Sequence, residues 1–339
     1  MQRIFRTCIA PLALALCAIG AHAQEAAQYY RGKTLTFVVG FAVANGYDSY
    51  SRAVARHIGK HLPGNPQAVV QNMQGAASII AANHIYNIAP KDGTVLGMVD
   101  QAMALTQVLG SPQLRADVTR FNWIGRISDN ASVLYAWHTA PVQNIKEAFD
   151  KELIVSSPGE NSRILFTFMQ NQLGVKFRIL TGYKGPNEAR LAMEQGEVHG
   201  MAQPFPVLRS EKPDWLRDRK VNLLLQVAVD AHADLKGVPV VTDLARNDEE
   251  KMLIELVAGN SRIGRALLSP PGQPHERIAD LRKAFMATME DEGFKGDIAK
   301  LGLDLNPMSG EELQRFVTKS ADIAPDLAAR LRKLTGHKE

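Results

Sequence analysis

The chain has 339 residues, of which 45% are hydrophobic and 22% charged, and its formal net charge is +4. A chain of this length can bury a core without crosslinks, and the length suggests two lobes. Its 39 lysines and arginines stand against 35 acidic residues and form no basic block interleaved with aromatics. The composition therefore argues against a nucleic-acid partner.

Residues 1–23 have the plan of a secretory signal peptide. Arg3 and Arg6 give a basic start, residues 11–20 form a short apolar stretch, and an A-x-A site ends at Ala23. We therefore expect cleavage after Ala23 and a mature protein in the periplasm. The apolar stretch is too short for a comfortable membrane span, and no later segment approaches the required length, so we expect a soluble mature protein.

The cysteine count restricts the chemistry of the mature protein. Both cysteines, Cys8 and Cys17, lie within the predicted signal. The mature chain then has no disulfide, no thiolate nucleophile and no cysteine metal site. Removing Arg3 and Arg6 leaves 37 basic residues against 35 acidic ones. A charged ligand would therefore be attracted by local groups rather than by a strong overall field.

Residues 33–62 predict a strand, a loop and a helix. The run 35–39 is β-branched and aromatic, as is typical of a strand. Residues 40–46 are mostly small with glycine at both ends, and Asp48 begins an amphipathic helical pattern. The N–H groups and the dipole at such a helix start attract an anion such as a carboxylate or phosphate. An ordinary βα connection without a ligand is the alternative, and on this pattern alone it is the commoner case.

Strand-like and helix-like segments alternate along the rest of the chain, which predicts an α/β fold with helices flanking parallel or mixed sheets. Residues 67–72 and 95–99 predict two more strands, with a helix at 76–88 between them. The apolar runs 122–127 and 132–137 leave no room for a helix between them. We therefore place the first crossover between two lobes at this point.

The second lobe is predicted to contain a further βα series. Its predicted strands and helices, in chain order, are 153–155, 162–173, 177–180, 187–194, 198–201 and 221–227. The segment 266–272 predicts the return to the first lobe, with helices from about 274 covering it. We expect lobe 1 to comprise residues 24–128 and 253–339, and lobe 2 to comprise residues 129–252.

The second lobe contains a loop comparable to the first. Residues 156–162 join a predicted strand to a predicted helix, and Ser162 or Asn161 is the candidate N-cap. A second loop, residues 181–185, precedes the next predicted helix. Two helix starts on two lobes, facing one cleft, would suit a ligand with carboxylates.

These motifs, in this order and spacing, resemble those of the periplasmic receptors of tripartite tricarboxylate transporters, the Bug-type solute-binding proteins. The resemblance covers essentially the whole mature chain. It implies a type II periplasmic-binding-protein fold, with two α/β lobes and a ligand cleft between them. The residues that carry it are Gly40, Phe41, Asn45, Gly46, Asp48, Arg52, Val69 to Ala76, Ala89 to Gly97, Ser157, Gly159, Asn161, Ser162, Tyr183 to Gly185 and Leu235 to Val240.

The same resemblance implies what the protein does. A receptor of this family captures an organic acid by hinge closure and delivers it to a membrane permease, and we expect a monomer with no cofactor, no metal and no enzymatic activity. In the family one carboxylate is held by backbone N–H groups and hydroxyls of the two loops. The implied ligand-binding residues are Phe41, Val43, Asn45, Gly46, Tyr47, Asp48, Ser157, Gly159, Asn161, Ser162, Tyr183 and Lys184.

The first loop departs from the family pattern. Where the family carries a proline and a Gly-Gly pair, this chain has Ala42, Ala44 and Asn45. Asparagine tolerates a positive φ angle and alanine does so poorly, so we expect the loop to approach the ligand less closely or to take another shape. Tyr47 could stack on a planar aromatic acid or cover the rim of the cleft. The identity of the carboxylate therefore stays open.

Other interpretations of single residues are weaker. His57 and His61 have the i, i+4 spacing of two zinc ligands, but no third ligand is evident and a solvated basic helix face is favoured. Ser157 and Ser162 could be nucleophiles of a secreted hydrolase, but neither lies in a G-x-S-x-G motif. A ligand-sensing protein of an envelope signalling system would share the fold and stays an alternative to transport.

For three acidic or amide residues in the motifs, a structural role is favoured over contact with a ligand. An acid at a helix start usually caps the helix, and this is the favoured role of Asp48. The alternative is that Asp48 receives an ammonium group or a bridging water from a ligand. Asn72 and Asp92 are interpreted as residues that shape loops.

Overall fold

The structure is a computed structural model, which describes residues 28–158, 160–183 and 185–337. The side chain of Glu160 is not part of that description. The predicted signal peptide, residues 1–23, lies outside the described residues. So do two residues of the predicted binding set, Gly159 and Lys184.

The first lobe is built on a six-stranded sheet. Its strands are β1 (Thr34–Val39), β2 (Gln67–Asn72), β3 (Val95–Met98), β4 (Asn122–Ser128), β10 (Arg265–Ser269) and β11 (Met308–Ser309), and their spatial order is β11-β4-β10-β3-β1-β2. β1 pairs in parallel with β2 and β3, whereas β10 runs antiparallel to β3 and β4. All four residues of β3 are buried, as expected for a central strand covered on both faces.

The second lobe is built on a five-stranded sheet. Its strands are β5 (Ser132–Trp137), β6 (Leu153–Ser156), β7 (Phe177–Leu180), β8 (Gly200–Pro204) and β9 (Val221–Val227), in the order β7-β6-β8-β5-β9. β6 pairs in parallel with β7 and β8, and β5 pairs antiparallel with β8 and β9. The α/β fold with two lobes that the sequence predicts is confirmed.

The helices cover both sheets. They are α1 (Gly46–Ile58), α2 (Ile79–Asn87), α3 (Met103–Val108), α4 (Glu160–Phe168), α5 (Pro186–Glu194), α6 (Phe205–Glu211), α7 (Pro213–Arg217), α8 (Asp248–Ala258), α9 (Asn260–Ile263), α10 (His275–Glu290), α11 (Glu292–Lys300), α12 (Gly310–Ala321) and α13 (Pro325–Leu334). Among the described residues, none of these helices combines the length and the apolar character needed to cross a membrane.

Two segments connect the lobes side by side. β4 ends at Ser128 in the first sheet, and β5 begins at Ser132 in the second. The chain returns through α8 and α9 to β10. The N–H of Asn130 donates to the carbonyl oxygen of Ser261 at 3.0 Å, so the outgoing and returning segments are joined where they cross. A hinge between the lobes would lie here.

The C-terminal helix packs across the boundary that the sequence suggested. Leu331 of α13 is fully buried in the apolar cluster of the second sheet, and residues 253–258 also contribute to that cluster. α13 follows the second crossover and residues 253–258 lead into it, yet both segments contact lobe 2. The division into residues 24–128 with 253–339 and residues 129–252 stays a prediction.

The predicted elements agree best in three short strands with apolar residues at their centres. The predicted strands 67–72, 177–180 and 221–227 coincide with β2, β7 and β9. The predicted strand 198–201 begins and ends too early, since β8 runs from Gly200 to Pro204. The prediction therefore omits the last three residues of β8.

The segment before α2 has an unusual backbone. The predicted helix 76–88 begins only at Ile79, because Ala76, Ala77 and Ser78 have φ angles of 46°, 49° and 74°. For L-residues this left-handed conformation costs roughly 1–2 kcal/mol each. Strain of this kind persists only where the surrounding structure imposes it, and it is common at functional sites. Ala77 lines the cavity described below.

Candidate functional site

A cavity of about 490 Å³ lies between the two lobes. This volume falls within the roughly 300–1,000 Å³ typical of small-molecule sites. Its wall is apolar in large part, with a few polar groups from each lobe. The polar side chains of the wall are Tyr47, Asp100, Gln101, Asn130, Ser132, Asn161, Ser162, Gln203, Asn260, Ser261 and Arg265.

The first loop ends in a capped helix start beside this cavity. Helix α1 begins at Gly46, two residues before the predicted start, because the side chain of Asn45 accepts a hydrogen bond from the Asp48 N–H at 3.1 Å. The N-cap is therefore Asn45 and not Asp48. Ala44 has a φ angle of 65°, whereas Asn45 is extended. The positive φ thus falls on the less suited residue, where a hydrogen bond from the Ala44 N–H to Asp48 Oδ2 at 3.0 Å supports it.

The buried side chain of Asp48 holds the loop together through hydrogen bonds. It is 2% exposed, and its carboxylate accepts hydrogen bonds from Arg52 at 2.9 Å and from Asn72 Nδ2 at 2.9 Å. Asn72 also donates to the carbonyl oxygen of Phe41 at 3.0 Å. Burial alone would raise the pKa of Asp48, but hydrogen bonds from Arg52, the Ala44 N–H and Asn72 outweigh it and lower the pKa. Asn72 shapes the loop, as predicted. Asp48 also holds the loop, but its predicted role as the N-cap is wrong.

Tyr47 forms the centre of a three-layer stack. The ring of Phe41 lies parallel to it, with centroids 4.0 Å apart. The Cζ atom of Arg265 lies 3.9 Å from the Tyr47 ring centroid, and two groups this close to one centroid must occupy opposite faces. The Tyr47 hydroxyl accepts a hydrogen bond from the Gln101 N–H at 3.1 Å. Neither face of the ring is open to the planar ligand that the sequence suggested for it.

Arg265, the first residue of β10, presents a cation to the cavity. Its Nη1 donates to Gln101 Oε1 at 3.0 Å. A Cβ atom built on Gly46 would lie 3.7 Å from Nε and Nη2, so the guanidinium lies against the first residue of α1. Among the described residues, no carboxylate lies within the 4.0 Å of an ion pair from Arg265. A guanidinium has five N–H donors, and the bond to Gln101 uses one of them.

Asp100 provides the carboxyl group of the same wall. Its Oδ1 accepts a hydrogen bond from the Ala102 N–H at 2.7 Å. Burial raises the pKa of Asp100, and the Ala102 N–H and the charge of Arg265 offset this only in part. A carboxyl group in this position favours its neutral form more than an exposed one does.

The second lobe contributes neutral polar groups. Helix α4 begins at Glu160, so Asn161 and Ser162 lie in its first turn and neither is the N-cap that the sequence suggested. Both line the cavity together with Pro158. The hydroxyl oxygens of Ser157 and Ser162 lie 2.9 Å apart. Two residues of the predicted set, Asn161 and Ser162, are therefore in the wall, and the Ser157 hydroxyl lies against that of Ser162.

Other predicted residues lie away from the cavity. Val43 is 64% exposed at the tip of the first loop. The Tyr183 hydroxyl donates to Glu197 Oε1 at 2.9 Å, outside the cavity wall. Asp92 accepts hydrogen bonds from the N–H and the hydroxyl of Thr94, so it shapes its loop as expected.

His57 of α1 and His61, three residues after the end of that helix, do not form the solvated basic face that their neighbours suggested. His57 Nε2 lies 3.0 Å from Asp297 Oδ2, and His61 Nε2 lies 3.3 Å from Asp291 Oδ2. The side chains of His57 and His61 are 14% and 22% exposed, because α11 packs over them. No group of three or more His, Cys, Asp and Glu side chains in the described part of the chain is placed to hold a metal.

The sequence predicted three of the eleven polar residues of the cavity wall, Tyr47, Asn161 and Ser162, and missed the other eight. Two of the missed residues, Arg265 and Gln203, matter most below. A signal existed for each. Arg265 is a lone charge at the start of the apolar run 265–269, and Gln203 is a polar residue in a buried strand. The predicted strand ended at Met201, so Gln203 was never placed on the sheet.

Two α/β lobes, two adjoining crossover segments and a polar-lined cavity between the lobes define a two-lobed solute-binding protein. Residues 51–326 match the profile of the tripartite tricarboxylate transporter family receptor, which is well over half of the chain. The chain belongs to this family, whose members are periplasmic receptors, and the predicted resemblance is confirmed. The first loop, residues 40–48, precedes the matched segment.

Solved structures agree with this fold. A solute-binding protein of the same family from Polaromonas is 16% identical, with a TM-score of 0.70 over 91% of this chain and 100% of that chain. The periplasmic binding protein BugD is 20% identical, with a TM-score of 0.62 over 91% and 99%. A Rhodopseudomonas palustris protein solved with adipate is 19% identical, with a TM-score of 0.61 over 90% and 98%. No curated protein matches the sequence at a significant level.

Proposed function

We propose that this protein captures an organic acid between its lobes and delivers it to a membrane permease of the tripartite type. The observation that carries the proposal is the guanidinium of Arg265, which faces the cavity without a carboxylate partner among the described residues. A partly buried cation of this kind is stabilised by an anionic ligand, and a carboxylate fits its fork of donors with two parallel hydrogen bonds.

Further groups of the wall suit the same carboxylate. Arg265 lies against Gly46 at the start of α1, where the helix dipole also favours negative charge. Asn161 and Ser162 reach the cavity from the other lobe. A ligand held by both lobes favours the closed arrangement, because it binds that arrangement better than the open one. Of the predicted loops, the helix start at Gly46 and the side chains of Asn161 and Ser162 form the proposed grip on the carboxylate.

Structural relatives support the ligand class. One R. palustris protein was solved with adipate and another, MatC, with bound malate. Both ligands are organic acids, and both proteins share the fold with this chain. We extend the carboxylate class, not the particular acid, to this protein. Cleavage of the signal after Ala23, a periplasmic location and a monomeric state belong to the same proposal.

We further propose that the protein binds its ligand without converting it. The hydroxyls of Ser157 and Ser162 lie 2.9 Å from each other, which supports a role in the loop rather than activation by a histidine. Transport is favoured over sensing because the matched family consists of transporter receptors.

The test is a thermal-shift screen of the purified mature protein against mono-, di- and tricarboxylates, including aromatic acids. At 100 times its dissociation constant, a true ligand should stabilise the protein by about 2.7 kcal/mol. Chromatography of the same samples should recover the acid unchanged. If no acid shifts the melting curve but an ester is hydrolysed, the receptor function is wrong and a hydrolase replaces it.

A further inference from the structure

Gln203 is a polar residue built into the wall of the cavity on the side of lobe 2. It lies in β8, opposite Val133 of β5, and it is 5% exposed. Its neighbour two residues earlier, Met201, lines the cavity on the same face of the strand. A primary amide in a mostly apolar wall needs a specific reason, because burying its donors and acceptor costs free energy unless they are paired.

The orientation of the Gln203 amide is fixed by an arginine. Arg190 Nη1 lies 3.2 Å from Gln203 Oε1, and a guanidinium can only donate hydrogen bonds. The oxygen of the amide must therefore face Arg190, and the Nε2 group must face the other way. Arg190 itself is 4% exposed and is held on its other side by Asn187 and Glu211. If the amide flipped, Arg190 Nη1 would lose its acceptor.

The donor that results has no partner. Gln203 Nε2 is buried and makes no hydrogen bond with any described residue. An unmade hydrogen bond of a buried donor costs about 1–3 kcal/mol. Such a cost is tolerated at a binding site, where a ligand supplies the missing acceptor.

The charges of the cavity indicate what kind of acceptor this is. Among the described residues of the wall, Arg265 is the one cation and Asp100 the one acid. A first ligand carboxylate pairs with Arg265, whereas a second one at the Gln203 end would meet only neutral donors of the described wall. The charge of Arg190, behind Gln203, is already paired with Glu211. An uncharged oxygen therefore suits the Gln203 end of the cavity better than an anionic one.

We propose that Gln203, positioned by Arg190, donates a hydrogen bond to an uncharged carbonyl or hydroxyl oxygen at the end of the ligand remote from its carboxylate. The preferred ligand is then a monocarboxylate with a neutral oxygen acceptor rather than a dicarboxylate. This inference rests on the proposed function, since it assumes that Arg265 holds the carboxylate. Gln203 contacts the ligand and Arg190 acts through Gln203.

The test uses three matched series of acids and calorimetry at pH 7.5. The first series is 4-oxopentanoate, 5-oxohexanoate and 6-oxoheptanoate. The second replaces each ketone by a methyl-branched carbon, and the third is succinate, glutarate and adipate. At the best chain length, the oxo acid should bind about tenfold tighter than its branched analogue, the size of one good hydrogen bond. It should also bind tighter than the matching dicarboxylate.

Two variants assign the preference to Gln203. In Gln203→Met the advantage of the oxo acid over the branched acid should fall to within about twofold. Gln226→Met is the matched control: Gln226 is a buried glutamine of the same sheet whose amide donates to Leu235 O and Val238 O, away from the cavity. This variant should melt at a lower temperature but keep the tenfold preference.

A spectroscopic measurement covers the case in which Gln203→Met folds poorly. The side-chain amide signals of the wild-type protein can be recorded by nitrogen-15 NMR. Incorporating nitrogen-15 glutamine at position 203 alone, by suppression of a stop codon placed there, identifies the signal of Gln203. Its Nε2 protons should shift on addition of the oxo acid and not on addition of the branched acid.

The outcomes separate this inference from the function on which it rests. A dicarboxylate that binds tightest, or an oxo-acid preference that survives in Gln203→Met, overturns the role of Gln203 and leaves the receptor function intact. Absence of binding by all acids of all three series overturns the receptor function and this inference with it.

Discussion

The segment formed by the first loop and the start of α1 and the lobe 1 side of the cavity wall each contain an aspartate and an arginine. In that segment, Asp48 and Arg52 lie 2.9 Å apart and neutralise each other. In the wall, Asp100 and Arg265 are not within ion-pair distance, and Arg265 instead stacks on an aromatic ring. The pKa of Asp48 is lowered by its hydrogen bonds despite burial, whereas burial raises that of Asp100.

This difference separates groups that shape the site from groups that bind. The loop contains the recognisable motif, yet its polar atoms are used up in holding its own backbone. The wall has weak local signals, yet its guanidinium is free to receive an anion. A charged pair satisfied within the protein has little left to offer a ligand, whereas an unpaired, partly buried cation favours an anionic ligand.

The largest effect should come from removing the unpaired cation. Arg265→Gln should weaken binding of an acid ligand about a hundredfold, because two charge-assisted hydrogen bonds are lost. Calorimetry with the acid found by thermal shift measures this. Arg56→Gln is the control, because it makes the same charge change on the exposed far end of α1, and it should bind within about twofold of wild type. Equal losses in both variants would attribute the effect to net charge and remove Arg265 from the site.

Removing the paired carboxylate should instead affect folding. Asp48→Asn should lower the free energy of unfolding by about 2 kcal/mol at pH 7, because Arg52 and Asn72 lose their charged acceptor. Since the folded state lowers the pKa of Asp48, this contribution is complete above the unfolded pKa of about 3.9. It is lost as the pH falls through the lower folded value.

Urea unfolding at pH 7 and pH 3 checks both points. The difference between wild type and Asp48→Asn should be smaller at pH 3. Asp326→Asn is the control, since Asp326 is an exposed acid in the first turn of α13, and it should change stability by less than about 0.5 kcal/mol. A stable Asp48→Asn protein that no longer binds acids would show that Asp48 contacts the ligand and that the contrast is wrong.

The strain in the first loop offers a gain in stability. Ala44 has a φ angle of 65°, which glycine adopts without a steric penalty. Ala44→Gly should therefore raise the free energy of unfolding by about 1 kcal/mol, partly offset by the greater freedom of glycine in the unfolded chain. Urea denaturation measures it. Ala42→Gly is the control, because it introduces glycine in the same loop at a position without a positive φ angle. This variant should have a slightly lower free energy of unfolding than wild type.

The smallest effect should be at Asp100. Asp100→Asn keeps the acceptor for the Ala102 N–H but removes a negative charge near Arg265, so acid binding should tighten about threefold at pH 8. The folded state raises the pKa of Asp100, so this carboxylate takes up a proton at a higher pH than an exposed aspartate does. The difference in acid affinity between wild type and Asp100→Asn should therefore narrow as the pH falls toward pH 5. Ionisation of Asp100 also costs the wild type stability as the pH rises through the raised pKa. Binding that is weaker in Asp100→Asn at both pH values would contradict this.

The sequence predicted the framework of the molecule well, because the framework depends on local patterns. Strands such as Gln67–Asn72 and Val221–Val227 are short segments with an apolar centre between polar flanks. The helix after the first loop was also predicted, but its start was placed two residues late. Asn45 and Asp48 are both capping residues, and only the backbone geometry decides between them.

The cavity wall was less accessible to sequence reasoning because its parts meet only in the folded chain. Arg265 reaches Gly46 across more than 200 positions of sequence, and it does so because β10 returns from the second lobe to pair with β3 and β4. Gln203 is defined by a contact with Arg190 on another element. Local periodicity contains no information on either contact.

The most direct test of the account is a crystal structure of the protein with an acid identified by thermal shift. We predict that the ligand carboxylate lies between the lobes with its oxygens about 2.8 Å from the nitrogens of Arg265. The hydrogen bond from Arg265 to Gln101 should be released or shared, and Asp48 should keep its bonds to Arg52 and Asn72. A carboxylate bound elsewhere, with Arg265 still directed to Gln101, would contradict the account.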